Sequence, residues 1–268
     1  MFYMQNYNPF PIFTKSISIS PKNSKFASEI LKINTGNMKK TLAMLFGGLL
    51  LFACKSPQVH VEPDNYDTVT AVNQVLEELK GREVVLFVAD KDEIAPADVP
   101  FPVVFTGMGK MRMFSGLVKW HETLPEGSHP VVLNIGSAGS AKYPIGTIVN
   151  CTRIFNGGCE LVHDCIELQG DGASIFSGDY FMSTQTFSPE QVKELSQQYD
   201  LFDMEAYAVA RFCQMYDIPF YCLKAVSDNL DGNLKDWRSI LADLRIRFTE
   251  LLWTGKAEDS AELVLEYN

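Results

Sequence analysis

The feature that most constrains this chain is a recurring pair: a short, unbroken apolar run that ends at once in glycine, serine or an acid. "EVVLFVA" (Glu83–Ala89) leads to Asp92 and Glu93, and "PVVFTGMGK" ends on Gly107-Met108-Gly109. "PVVLNIGSAGS" runs into Gly136-Ser137-Ala138-Gly139, and two later runs close on Ser177-Gly178-Asp179 and Ser227-Asp228. Runs apolar at every position are expected of strands buried on both faces. Helical patterns alternate with them. One begins near Lys110, with Phe114, Leu117 and Val118 at helical spacing; "SPEQVKELSQQY" follows with Pro189 at its first position; an amphipathic helix spans about Leu234 to Trp253. From Tyr66 on, this alternation predicts one α/β domain, residues 66–268, with a mostly parallel sheet. The third apolar run is expected to stop before a glycine/serine turn. Open sheets of this kind bind ligands outside the carboxyl ends of their strands, so the five polar stretches outline a pocket.

Several function classes fall away on inspection. The chain of 268 residues carries a net charge of −10, and basic residues do not cluster outside the N-terminal region, so a nucleic-acid partner is not expected. Neither G-x-G-x-x-G nor a Walker lysine pattern is present, and there is no G-x-S-x-G elbow. No cofactor is expected. Cys159, His163 and Cys165 sit close enough to suggest a metal, but a fourth ligand is not evident, and no metal is assigned. What the pocket offers is carboxylates: Glu93, Glu205 and Asp228. Without a nucleophile beside them, they suit acid/base work on a bond that breaks through a cationic, sugar-like transition state.

Two of the acids are close neighbours. "LFDMEAYAVARFC" (Leu201–Cys213) reads as an apolar helix with Asp203 and Glu205 at its start. Side chains at that spacing point in different directions, so the pair cannot share one task. Asp203 is expected to cap the helix. Glu205 either complements the helix dipole or faces the pocket.

The N-terminal sixty residues differ in kind. Residues 1–37 are polar and aperiodic, and no structure is assigned to them. Residues 38–54 combine Lys39 and Lys40 with the apolar stretch Thr41–Ala53 and end in "LFAC", which resembles a bacterial lipoprotein signal with Cys54 as the lipidated residue. The alternative is a buried or membrane-lying segment with a chance cysteine. The leader reading makes Met38 the real start, gives the protein a lipid anchor through Cys54 and places it in the bacterial cell envelope; without it, the location is cytoplasmic.

"TGMGK", "NIGSAGS", "FSGDYF", "FDMEAYAVARFC" and "IPFYCLKAVSDN", in this order, resemble the nucleoside phosphorylase and nucleosidase family, most of all its methylthioadenosine/S-adenosylhomocysteine nucleosidase branch. The resemblance covers roughly Glu83 to Asp231. It implies a three-layer α/β/α fold with a twisted central sheet, a homodimer, and hydrolysis of a purine nucleoside as the small-molecule substrate. By the same resemblance Glu205 holds the ribose hydroxyls, with Met204 against the sugar. Asp228, positioned by Ser227, protonates N7 of the purine, and Glu93 activates the attacking water. Phe181 packs on the base, and the turn bearing Ser137 and Gly139 lines the site. Phosphorylase relatives carry an arginine where Asn134 stands, which favours water over phosphate as nucleophile. Lys224 replaces an arginine common in relatives, and the stretch from Phe155 to Gly172 is short, so the 5′ substituent stays open: methylthioadenosine, adenosylhomocysteine, deoxyadenosine or a futalosine-like nucleoside. A purine nucleoside phosphorylase and an envelope nucleoside-binding protein are the alternatives.

Overall fold

A computed structural model describes residues 67–158, 164–233 and 237–257. The readings made on residues 1–37, on the leader with Cys54, and on Cys159 and His163 lie outside them. Among the described residues no group of His, Cys, Asp or Glu is placed to hold a metal ion, and no helix is long and apolar enough to cross a membrane.

The described chain opens with a helix that the sequence reading did not single out, α1 (Thr68–Leu79). Asp67 caps it by accepting from the N–H groups of Val69 and Thr70. Then come β1 (Val84–Val88), β2 (Val103–Phe105), α2 (Lys110–His121), β3 (Val131–Gly139), β4 (Ile148–Asn156), β5 (Cys165–Glu167) and β6 (Ala173–Ser177). The rest is α3 (Pro189–Gln198), β7 (Leu201–Asp203), α4 (Ala206–Tyr216), β8 (Phe220–Asp228) and α5 (Trp237–Thr254). Helix α3 starts on a capping box in which Ser188 and Gln191 satisfy each other's backbone N–H.

The eight strands form one mixed sheet rather than a simple parallel one. Pairs β1–β2, β1–β3, β3–β8, β4–β6 and β6–β7 are parallel; β3–β7, β4–β5 and β4–β8 are antiparallel. Following the pairs β3–β8–β4–β6–β7 leads back to β3, so five strands close on themselves instead of leaving an open edge. Among the described residues no α-helix separates β1 from β2, β3 from β4 or β5 from β6, and there the expected alternation breaks.

Strand β1 shows how the core is divided. Val85 and Phe87 pack with Met113 and Leu117 of α2 and Val209 and Phe212 of α4. Val84, Leu86 and Val88 pack instead with Val72 and Val75 of α1 and Leu241 and Phe248 of α5. A strand's alternating side chains thus feed two separate apolar cores, which is why its sequence is apolar throughout.

Two expectations about local structure are corrected. Leu201–Cys213 is not one helix: Leu201, Phe202 and Asp203 pair in parallel with Ile175, Phe176 and Ser177 of β6, and the helix starts only at Ala206. Strand pairing has overridden a locally helical pattern. Gly136–Gly139 is not a turn after β3 but its last four residues, paired in parallel with Lys224, Ala225, Val226 and Asp228 of β8 across a bulge at Ala138/Gly139. The glycines there allow close approach within the sheet.

Candidate active site

At the end of β1 the chain turns through Asp90 and Glu93. The Glu93 carboxylate is buried: its Oε1 accepts from the Ser137 backbone N–H and from Ser137 Oγ, both at 2.7 Å, and its Oε2 accepts from the Asp90 N–H at 3.1 Å. Burial raises its pKa, and the Ser137 and Asp90 bonds and the Lys224 charge only partly offset that.

Asp228 sits where β8 ends. Its Oδ2 accepts from Ser227 Oγ at 2.9 Å and its Oδ1 from the Leu230 N–H at 3.0 Å. Burial raises its pKa as well, against the lowering effect of those two bonds. Gly139 lies against it. A Cβ there would come within 2.8 Å of Asp228 Oδ1, so only glycine lets β3 pass this close to the acid.

Glu205 occupies the helix-start position of α4 yet makes no capping bond of its own. Its Oε1 reaches across to accept from the Gly109 N–H at 2.6 Å. Gly109 has φ of +100°, a conformation that favours glycine and turns that N–H toward the acid. Burial, with Asp203 as the next cause, pushes the Glu205 carboxyl up to about 7. The protonated carboxyl is therefore more accessible here than on a free glutamate.

Asp203 does more than cap. Its Oδ2 accepts from the Ala206 N–H at 2.8 Å, the expected role. It also accepts from Ser177 Oγ at 2.6 Å and pairs with Lys224 Nζ at 3.0 Å, with both charged side chains almost fully buried. Burial alone would pull the Lys224 ammonium down, but Asp203, then Cys222, Glu205 and Glu93 outweigh it and hold it well above its ordinary value. Lys224 is thus a single buried cation facing three buried carboxylates. Asn134 is buried and donates from Nδ2 to the Phe87 carbonyl at 2.9 Å, so it is tied into the sheet.

These parts meet in one cavity with about 550 Å³ free of protein atoms, part of it open to solvent. All eight residues singled out from the sequence line it: Glu93, Ser137, Gly139, Phe181, Met204, Glu205, Ser227 and Asp228. Met108, from the glycine stretch that the sequence places at the pocket, lines it as well; Asp90, Tyr180, Asp203 and Trp237 line it too, and the sequence reading gave none of these four a place there. Of these, Asp90 carried a signal, because it follows β1 within the same acidic stretch as Glu93. Trp237 carried none. It comes from α5, which follows the strand ends that outline the pocket.

Residues 171–254 match the model of the Phosphorylase superfamily. No curated protein matches the chain. Among solved structures, a Helicobacter pylori 5′-methylthioadenosine/S-adenosyl homocysteine nucleosidase in complex with a pyrrolopyrimidinylmethyl pyrrolidinol superposes with a TM-score of 0.51 at 19% identity, covering 65% of this chain and 98% of that one. The futalosine hydrolase of the same organism gives 0.53 at 17%, covering 65% and 96%. The Neisseria meningitidis methylthioadenosine/S-adenosylhomocysteine nucleosidase, in complex with methylthio-immucillin-A, gives 0.52 at 17%, covering 64% and 96%. At these identities the likeness is one of fold. Residues 171–254 are thus similar to the Phosphorylase superfamily, and the chain's likeness to the nucleosidase structures is a likeness of fold.

Proposed function

We propose that the protein hydrolyses the N-glycosidic bond of a purine nucleoside, with methylthioadenosine and adenosylhomocysteine as the first substrates to test, on a three-layer α/β/α scaffold. The observation that carries this is the meeting of Glu93, Glu205 and Asp228, far apart in sequence, in the wall of one cavity.

In this reading Asp228 holds its proton because it is buried, and gives it to N7 of the base. The C1′–N9 bond breaks with its electron pair passing into a purine that is neutral once protonated, a far better leaving group than the anion. Glu93 takes a proton from water as the water oxygen bonds to C1′. A raised pKa suits this, since a base poised near the working pH is the most effective one. Glu205 meets the ribose hydroxyls; in its charged form it steadies the positive charge growing on the sugar. Met204 lies along the sugar and Phe181 along the base. Water is favoured over phosphate because Asn134 stands, uncharged and bonded into the sheet, where phosphorylases carry a cation. The leader reading adds a lipid anchor at Cys54 and an envelope location, and the resemblance adds a homodimer.

The test is adenine release from these nucleosides with and without phosphate, for the wild type and Asp228→Asn. Phosphate-independent release, lost in the variant while the nucleoside still binds, is the expected result. Release that requires phosphate would replace the hydrolase by a phosphorylase, and tight binding with no release would make the protein a nucleoside-binding module. Palmitate labelling abolished by Cys54→Ser is the matching expectation for the anchor.

A further inference from the structure

Two buried thiols that the proposed reaction does not use face each other inside the sheet. Strand β4 runs antiparallel to β8, with Ile148 opposite Ala225, Val149 opposite Lys224 and Asn150 opposite Leu223. The same register carried one residue further sets Cys151 opposite Cys222. Both side chains take the same face: they belong to the apolar cluster that includes Val149 and Val226, whereas Ile148, Leu223 and Ala225 pack on the other face. Both cysteines are fully buried thiols within hydrogen-bonding reach of each other. Cys222 Sγ also lies 3.8 Å from Asn134 Oδ1, and Cys151 Sγ lies 3.9 Å from the Val149 carbonyl oxygen.

This placement suits a covalent bond. Residues directly opposite on antiparallel strands have Cα atoms about 4.5 or 5.5 Å apart, and both spacings fall within the roughly 4.4–6.8 Å that disulfides span. Neither of the other described cysteines has a cysteine opposite it: Cys165 faces Phe155, and Cys213 lies on helix α4. The segment between Cys151 and Cys222 carries β5, β6, α3, β7 and α4, and with them Asp203 and Glu205. Cys222 is two residues before Lys224 on the same face of β8, so the thiol pair adjoins the Lys224–Asp203 ion pair.

We infer that Cys151 and Cys222 are a disulfide site: the chain closes a bond between them as it folds in the presence of a low-molecular-weight disulfide, and that bond ties β4 to β8 beside Lys224. The thiolate of one cysteine attacks the S–S bond of the oxidant and releases one small thiol. The thiolate of the other then displaces the second small thiol, so the pair gives up two protons and two electrons and the oxidant becomes two thiols. Burial assigns this exchange to the folding chain, before the strands seal the pair, and shields the bond afterwards. The proposed envelope location is one where such bonds form and persist. A bridge across a long segment restricts the unfolded chain and so stabilises the folded one.

The experiment refolds the full chain from urea in a glutathione redox buffer and maps its bridges by mass spectrometry of unreduced peptides. The expected result is one dominant bridge, Cys151 to Cys222, with a urea midpoint about 1 M above that measured in dithiothreitol. The double variant Cys151→Ala/Cys222→Ala should have the same midpoint in both conditions. Recovery of both cysteines as free thiols, bridges scattered over the other cysteines, or equal midpoints for the wild type would each overturn the inference. The mapping uses the wild type, so poor folding of a variant does not blur it. Adenine release is not among the readouts, so the nucleosidase reading stands or falls separately.

Discussion

Strands β6 and β7 carry nearly the same polar device at their two ends, and the fold treats the two very differently. Just before β7, Asp200 accepts from the Ser174 N–H at 2.8 Å and Ser174 Oγ at 2.9 Å and pairs with Lys142 Nζ at 2.8 Å. At its far end, Asp203 accepts from Ser177 Oγ at 2.6 Å and pairs with Lys224 at 3.0 Å. Each end is an aspartate, a serine three residues along the paired strand, and a lysine. At the first end the lysine side chain is 32% exposed and the charges are matched; burial works against the Asp200 carboxylate, but Lys142 and Ser174 win and lower its pKa. At the second end the lysine is sealed in and must serve Glu205 and Glu93 as well as Asp203. Burial, which the shared lysine only partly offsets, pushes the carboxyls up, Glu205 to about 7. An ion pair that only joins two strands stays balanced, whereas this one sits under a cavity and leaves acids holding protons. Such imbalance is how a fold prepares carboxyls for proton transfer.

The largest effect should come from the acid that this imbalance does not reach directly. Asp228 is raised by burial, so Asp228→Asn should keep nucleoside binding while lowering kcat by about 10²–10⁴, the range for loss of a positioned acid. Single-turnover adenine release alongside calorimetric binding measures both. An unchanged rate would mean that the raised acids at this end are structural, and the contrast between the two ends would lose its meaning.

How much of this contrast the sequence displays can be traced residue by residue. The strands of the core announce themselves, because burial on both faces forces β1 and β8 to be apolar at nearly every position. Glu93, Glu205 and Asp228 stand out because each follows or interrupts such a run, and all three reach the cavity. Asp203 was legible only in part: its cap to Ala206 is local, but its pairing with Lys224 depends on β7 lying beside β6, and a helical pattern concealed that strand. The closure of the sheet through Gly139 and Phe202 depends on a single long-range pairing, for which a strand pattern gives no sign. Trp237 and Asp90 reach the cavity through how α5 and the loop after β1 pack, and short-range spacing does not encode that.

The next largest effect concerns Lys224. Lys224→Met removes the buried cation shared by three buried carboxylates, and breaking such a pair should cost about 3–5 kcal/mol of stability, read as a lower urea midpoint. The remaining acids should also titrate higher, shifting the pH–rate profile to more alkaline values. A loss no greater than that of a surface pair would show that water reaches this end freely and that the two ends are alike.

The pH dependence of stability separates the ends by sign. A carboxyl whose folded pKa is raised binds protons more tightly in the folded state, so between its ordinary value of 4.5 and about 7 Glu205 makes stability fall as pH rises. Asp200 does the reverse. Its lowered folded pKa contributes stability that is present above its ordinary value of 3.8 and is lost as pH falls below it. Urea midpoints from pH 3 to pH 8 should therefore lose their alkaline decline in Glu205→Gln and soften their acid limb in Asp200→Asn. If both variants altered the same limb, in the same direction, the electrostatic distinction between the two ends would not hold.

The smallest expected effect is the counterpart of the Lys224 test. Lys142 is partly in water, and without it Asp200 keeps its bonds from the Ser174 N–H and hydroxyl, with Arg153 Nη2 at 3.9 Å as a remaining positive charge. A pair whose lysine is partly in water and whose aspartate keeps other partners contributes little, so Lys142→Met should cost no more than about 1 kcal/mol and leave adenine release unchanged. The informative quantity is the gap between the two lysine variants. The same substitution at two ends of one strand pair changes the surrounding dielectric and the number of carboxylates served, so a gap of several-fold would assign the difference to burial and charge imbalance. Equal costs would instead make both lysines ordinary ties between strands, and the cavity acids would then owe their raised pKa values to desolvation alone.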